Sequence, residues 1–149
     1  MIVVAILGLL SAIAVPKFGD LLRKSGEGAS KGNLAMLRSS ITIYYGDNDG
    51  SYPTDDLVSL TEEGKYIKEI PKVHLPRYHT DSTLVNNLAT LGCAGIRTSD
   101  AGGWRYWNLS QAECEDEDDE EAEGYTPHHR GDLWIGCSHT DTRGWAWTS

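Results

Sequence analysis

Met1-Ile-Val-Val-Ala-Ile-Leu-Gly-Leu-Leu-Ser-Ala-Ile-Ala-Val15 opens the chain and decides its architecture, because Ser11 is the only polar residue in it. Helical patterning continues beyond this run. Leu34, Leu37, Ile41, Tyr44 and Tyr45 recur at the spacing of one helix face. Gly46 is a C-terminal stop signal, and Asp47-Asn48-Asp49-Gly50 is a turn. A helix over residues 1–45 has a length of roughly 68 Å at ~1.5 Å per residue. A domain built from the rest of the chain has a diameter of only about 33 Å, so about half of the helix protrudes. The amphipathic part, residues 16–45, has a face to lay on a domain. Residues 1–15 have no polar face, so they need a bilayer or the same segment of other copies. Each large side chain buried there contributes roughly 1.5–3 kcal/mol.

Pro16 lies inside this helix, where it removes a backbone hydrogen bond and crowds the preceding turn. A kink or local melting is expected around Ala12–Gly19. A secretory signal peptide has a basic start and a small-residue cleavage site; Pro16 and the amphipathic continuation to Tyr45 argue against that alternative.

The segment from Met1 through Pro16-Lys17-Phe18 resembles the N-terminal segment of type IV pilins and type II secretion pseudopilins. The resemblance covers the first third of the chain strongly and the rest loosely. It implies an α+β pilin fold, with a long kinked N-terminal helix packed on a small C-terminal antiparallel β-sheet domain. It also implies assembly in which the hydrophobic helix leaves the inner membrane for the core of a helical homo-oligomeric filament, with help from pilus or secretion machinery. Filament-core packing then falls to Ile2, Val3, Val4, Ile6, Leu7, Leu9, Leu10, Ile13 and Val15, and the helix kink to Pro16. Leu34, Leu37, Ile41 and Tyr44 pack the helix on the domain. The family's leader, the Gly before its cleavage point, the Phe after it and the Glu shortly downstream would all lie upstream of Met1. Cleavage and methylation are therefore implied by resemblance alone, and no residue here takes the role of that Glu.

Residues 46–102 form an irregular connecting region. Tyr52-Pro53-Thr54, the spaced Leu57 and Leu60, and Tyr66-Ile-Lys-Glu-Ile-Pro-Lys72 resemble the corresponding part of major pseudopilins and simple pilins. Asp47–Gly50 lacks the Gly and Glu positions of an EF-hand loop and is expected to be a plain turn. Leu84, Leu88 and Leu91 fit one face of a short helix over Asp81–Leu91, with Asp81 or Ser82 as N-cap. Residues 103–149 are expected to form the antiparallel sheet. Its strands are Gly103–Leu109 and Asp132–Cys137, with an alternating Trp145-Ala146-Trp147. All five tryptophans lie in this region; they suit core and edge filling, or alternatively an aromatic ligand-binding face.

The net charge of −9 is concentrated in an acidic insertion, residues 113–123, where nine of eleven residues are Asp or Glu. This stretch is too charged to pack and is expected to be a solvated loop. The acidic balance also disfavours nucleic-acid binding. The abundance of carboxylates suits calcium, and the resemblance associates major pseudopilins with a calcium loop whose pattern is not matched here; Asp132 and Asp141 are the candidate ligands. Cys93, Cys114 and Cys137 allow one intramolecular disulfide and leave one thiol over, with Cys93–Cys137 favoured among three pairings. No Cys-x-x-Cys or His-Glu-x-x-His pattern organises Cys114, Cys137, His128, His129 and His139 into a zinc site. No catalytic motif is present, and neither a cofactor nor a resident metal is expected.

Three functions follow in order. The first is the structural subunit of an extracellular type IV pilus, a membrane protein as precursor and a surface filament after assembly. The second is a major pseudopilin of type II secretion. The third, from a different class, is a membrane-anchored ligand-binding module.

Overall fold

A computed structural model of the chain describes residues 1–88, 99–108 and 129–147. Helix α1, Ile2–Asp47, runs unbroken through Pro16. The local melting expected around residues 12–19 is not found, because a proline costs the helix one hydrogen bond and leaves the neighbouring ones intact. Gly46 is helical rather than a stop. The helix ends at Asn48, whose backbone N–H and side-chain Nδ2 both donate to Tyr44 O, at 3.0 and 2.8 Å. Asp49 and Gly50 then take positive φ, 52° and 79°, and turn the chain back, as the Asp-Asn-Asp-Gly signal predicts.

Two single-turn 3₁₀ helices follow, Val58–Leu60 and Glu62–Gly64, entered through Leu57 at φ 67°. The Asp55 carboxylate accepts from Leu57 N and Ser59 N, at 3.0 and 2.9 Å, and pins this turn. It presents Leu57 and Leu60, both fully buried, to the core.

Three short strands complete the domain: β1, Val85–Asn87; β2, Trp104–Tyr106; and β3, Leu133–Ile135. Their order is β1-β2-β3. The β2–β3 ladder is antiparallel, pairing Trp104 with Ile135 and Tyr106 with Leu133, whereas β1 pairs parallel with β2 from Val85–Trp104 to Asn87–Tyr106. The sheet is therefore mixed, where an all-antiparallel sheet was expected. Residues 88–103 join β1 to β2, and a connection longer than about a dozen residues permits a parallel crossover.

The short helix expected over Asp81–Leu91 is likewise replaced. Ser82 bridges Val73, residues 85–87 are strand, and Leu84 is exposed while Leu88 is buried, so the leucines share no face. Residues 89–91 lie outside the described part. Trp145–Trp147 contributes an isolated bridge, Thr140 to Ala146, in place of a strand.

The core gathers Leu34, Leu37 and Ile41 of α1, Leu57, Leu60, Ile67, Val73 and Leu75 of the connecting region, and Val85, Trp104, Tyr106, Leu133, Ile135 and Trp147. Helix α1 lies on β3, and Arg38 bridges the two with Nε and Nη2 donating to Leu133 O at 3.0 and 2.8 Å. Trp104 Nε1 donates to Pro71 O and Tyr106 Oη to Pro53 O, at 2.8 and 2.9 Å. The central strand is thus tied to the irregular segment as well as to its neighbours.

Candidate assembly surface

The outer part of α1 is bare. Ile2, Val3, Val4, Ile6, Leu7, Leu9, Leu10, Ile13 and Val15 are each more than half exposed, and so are Phe18, Leu21 and Leu22. The uncovered apolar segment therefore runs to residue 22, past the 15 residues of the strictly apolar run. At ~1.5 Å per residue it is about 33 Å long, close to the ~30 Å hydrocarbon thickness of a bilayer. Within α1 it supplies a stretch long and apolar enough to cross a membrane.

Two of its polar side chains are satisfied within the helix, and Lys17 is exposed. Ser11 Oγ donates to Leu7 O at 2.8 Å, hiding the run's one hydroxyl against the helix backbone. Asp20 pairs with Arg23 one turn on. Full burial of these twelve large side chains is worth about 18–36 kcal/mol. Half of that is comparable with the ~4–15 kcal/mol lost in freezing out the freedom of two associating partners. The segment thus has ample driving force for a membrane or a helix bundle, and little reason to remain in water.

From residue 23 onward the helix is docked. Leu34, Leu37 and Ile41 are buried, and Tyr44 is half-buried with its ring 5.4 Å from that of Tyr66. The polar residues of the same face were not singled out from the sequence, yet they extend the stripe toward the free end. Ser30, fully buried, exchanges two hydrogen bonds with His74: its Oγ donates to the carbonyl at 2.8 Å and accepts the N–H at 2.7 Å. Asn33 Nδ2 donates to Lys72 O at 2.9 Å. Glu27 Oε2 accepts from Thr142 N and Thr142 Oγ1 at 3.1 and 2.6 Å, and Lys31 pairs with Asp141. The signal for these contacts was their helical spacing, Glu27, Ser30, Lys31, Leu34, Leu37, Arg38 and Ile41, once polar residues are admitted to the stripe.

Asp141, a calcium candidate from the sequence, is committed to this docking. Burial alone would raise its carboxyl, but the Lys31 ammonium and the N–H groups of Trp145 and Arg143 outweigh burial and hold it at about 2. Asp132 caps a turn, its Oδ2 accepting from His129 N at 2.7 Å. Cys137 is a buried free thiol; its candidate partners Cys93 and Cys114, like the acidic insertion 113–123, lie outside the described residues. Of the side chains weighed for zinc, Cys137 and His139 come together, Sγ to Nδ1 3.5 Å, while Cys114 and His128 lie outside the described residues. Trp104, Trp107, Trp134 and Trp147 are buried and Trp145 is exposed, so the tryptophans fill the core and form no aromatic face.

Comparison with known proteins finds the chain 32% identical over 73 residues to the fimbrial protein EcpC of Eikenella corrodens, with 47% of each chain covered. The chain thus spans about half the length of the curated relative it matches. No protein-family profile and no solved structure matches the chain. A bare apolar helix end on a small α+β domain, with partial similarity to a fimbrial protein, makes the chain pilin-like.

Proposed function

We propose that this protein is the structural subunit of an extracellular type IV pilus. The observation that carries the reading is the division of α1: residues 1–22 are uncovered and, apart from Ser11, Lys17 and Asp20, apolar, and residues 23–47 are docked on a folded domain. The partial likeness to a fimbrial protein supports it. In this reading the subunit waits with its bare segment in the inner membrane. The assembly machinery then extracts it, and copies bundle so that the segments bury one another in the filament core. The domain stays outside as the coat and carries no catalytic role.

The reading is tested by electron microscopy of filaments sheared from cells expressing the full-length gene. Long filaments containing this chain are expected, and Leu10→Asp should abolish them while leaving the domain folded. Abundant Leu10→Asp filaments would refute core packing by this segment. Protein confined to the membrane fraction, without filaments, would favour the second reading, a type II secretion pseudopilin. That reading draws on the Tyr52-Pro53-Thr54 segment, whose Pro53 and Thr54 carbonyls receive Tyr106 Oη and Asn108 Nδ2 at 2.9 and 2.7 Å.

A further inference from the structure

At the far end of the β2–β3 ladder four chemically reactive side chains converge. Gly102 N donates to Gly136 O and Gly136 N to Gly103 O, at 2.9 and 3.0 Å, so the ladder continues past the strands and holds residue 100 beside residue 137. Ser138 N then donates to Asp100 Oδ1 at 2.8 Å, fixing that carboxylate. A turn at Leu75–His79, with Tyr78 N and His79 N both donating to Leu75 O, brings His79 to the same place. Its imidazole Nε2 is 3.1 Å from Asp100 Oδ1. His139, two residues after Cys137, places Nδ1 3.6 Å from Asp100 Oδ2 and 3.5 Å from Cys137 Sγ.

We propose that His79, Asp100, Cys137 and His139 form a tetrahedral site for a zinc-class divalent cation. Their ligand atoms all lie within 4.8 Å of one another. A tetrahedron with Zn–N, Zn–O and Zn–S bonds of ~2.0–2.3 Å has edges of ~3.3–3.8 Å; the three contacts above, 3.1–3.6 Å, lie near that span, with the two histidines on different Asp100 oxygens, and the remaining pairs close from at most 4.8 Å when the ion binds. The donor set of two imidazoles, one thiolate and one carboxylate selects zinc or cobalt over calcium and magnesium, which take oxygen alone. Bound as thiolate and carboxylate, with both imidazoles neutral, the ligands cancel the charge of the ion.

The surroundings hold the ligands in place. The Tyr78 ring stacks on His139 with centroids 4.0 Å apart. Gly102, at φ 70°, passes so close that a Cβ there would lie 2.9 Å from His79 Cβ. Arg105 faces Asp100 from β2 but spends its guanidinium on Ser99, donating from Nη2 to the carbonyl and to Oγ at 3.3 and 2.9 Å, which leaves the carboxylate available to the ion. Cys137 is buried, whereas His139 and Asp100 are about one-third exposed, which gives the cation an entry side. The bound ion would clasp the connecting region to the C-terminal segment.

The test is titration of Co²⁺ into the reduced, chelator-treated full-length chain in detergent micelles. One equivalent is expected, with a sulfur-to-cobalt charge-transfer band that Zn²⁺ abolishes by displacement. Cys137→Ser should remove the band. His79→Ala and His139→Ala should each weaken binding by more than the ~10–100-fold that loss of an outer-shell partner costs. His129→Ala and a Cys93→Ser/Cys114→Ser double variant should bind like the parent. Near-ultraviolet dichroism of the buried tryptophans verifies that each metal-free variant is folded. Absence of a sulfur band, its survival in Cys137→Ser, its loss in the Cys93→Ser/Cys114→Ser variant, or undiminished affinity in folded His79→Ala would overturn the assignment.

Discussion

Gly26 offers a sharp test of how α1 is seated. A Cβ at this position would overlap His74 Cδ2, lie 2.9 Å from His74 Nε2 and 3.2 Å from Pro76 Cγ. In an open helix, Gly→Ala gains about 1 kcal/mol. Here the methyl must push aside the His74 ring, whose Nδ1 is paired with Asp81 and whose backbone is clamped by Ser30. Overpacking of this kind costs about 1–3 kcal/mol, so Gly26→Ala should be net destabilising by about 0–2 kcal/mol. In a His74→Ala background the obstacle is gone and only the tight Pro76 contact remains, so the same substitution should stabilise by about 0.5–1 kcal/mol. The assay is urea unfolding of the full chain in detergent micelles, followed by tryptophan fluorescence, which the four buried indoles make sensitive to the domain. The expected result is a reversal of sign between backgrounds, a coupling of about 0.5–3 kcal/mol. An equal effect of Gly26→Ala in both would refute the seating of His74 on Gly26.

Leu37 has no exposed surface and lies at the centre of the helix–sheet interface, so Leu37→Ala should cost about 2–5 kcal/mol in the same assay, whereas Leu10→Ala should leave domain stability unchanged. The Asp141 contribution is pH-dependent with a definite sign. Its folded pKa of about 2 lies below the ordinary 3.8, so the stability it adds is present above about pH 4 and is lost as pH falls toward 2. The shift sets a ceiling of about 2.4 kcal/mol, which solvent around the half-exposed Lys31 reduces to about 1 kcal/mol. Asp141→Asn should therefore be less stable than the parent at pH 7, and the gap should narrow as pH falls from 4 through 2; a gap that did not change with pH would contradict the carboxylate's pairing with Lys31 and the Trp145 and Arg143 N–H groups.

The features legible in the sequence were those set by local periodicity. The apolar run and the Leu34, Leu37, Ile41 stripe repeat at helical spacing, and nothing in their surroundings competes with it. The cores of the strands around Trp104–Tyr106 and Leu133–Ile135 were legible from their β-branched and aromatic content between glycines. Val85–Asn87 was misread because three leucines near it happen to fit a helix face, while a three-residue strand is too short to show alternation. What makes it a strand is its pairing with β2, distant in sequence. The polar docking residues Glu27, Ser30 and Lys31 were not legible because polar side chains ordinarily mark the solvent face of a helix, and only their partners at His74, Asp141 and Thr142 turn them inward. The His79, Asp100, Cys137 and His139 cluster has no local spacing beyond Cys-Ser-His, and the tertiary fold alone brings its four members together.

The docked half of α1 also decides how the protein answers to tension. A load applied through the free end of the helix runs along its axis. The contacts at Glu27, Ser30, Lys31, Asn33 and Arg38 lie across that direction and reach three separate segments: Asp141 and Thr142, Lys72 and His74, and Leu133. They are therefore strained together in shear rather than peeled one after another, and rupture requires several to fail at once. A domain hung from its helix in this way resists extraction along the axis far better than it resists being levered sideways from the Asn48 end.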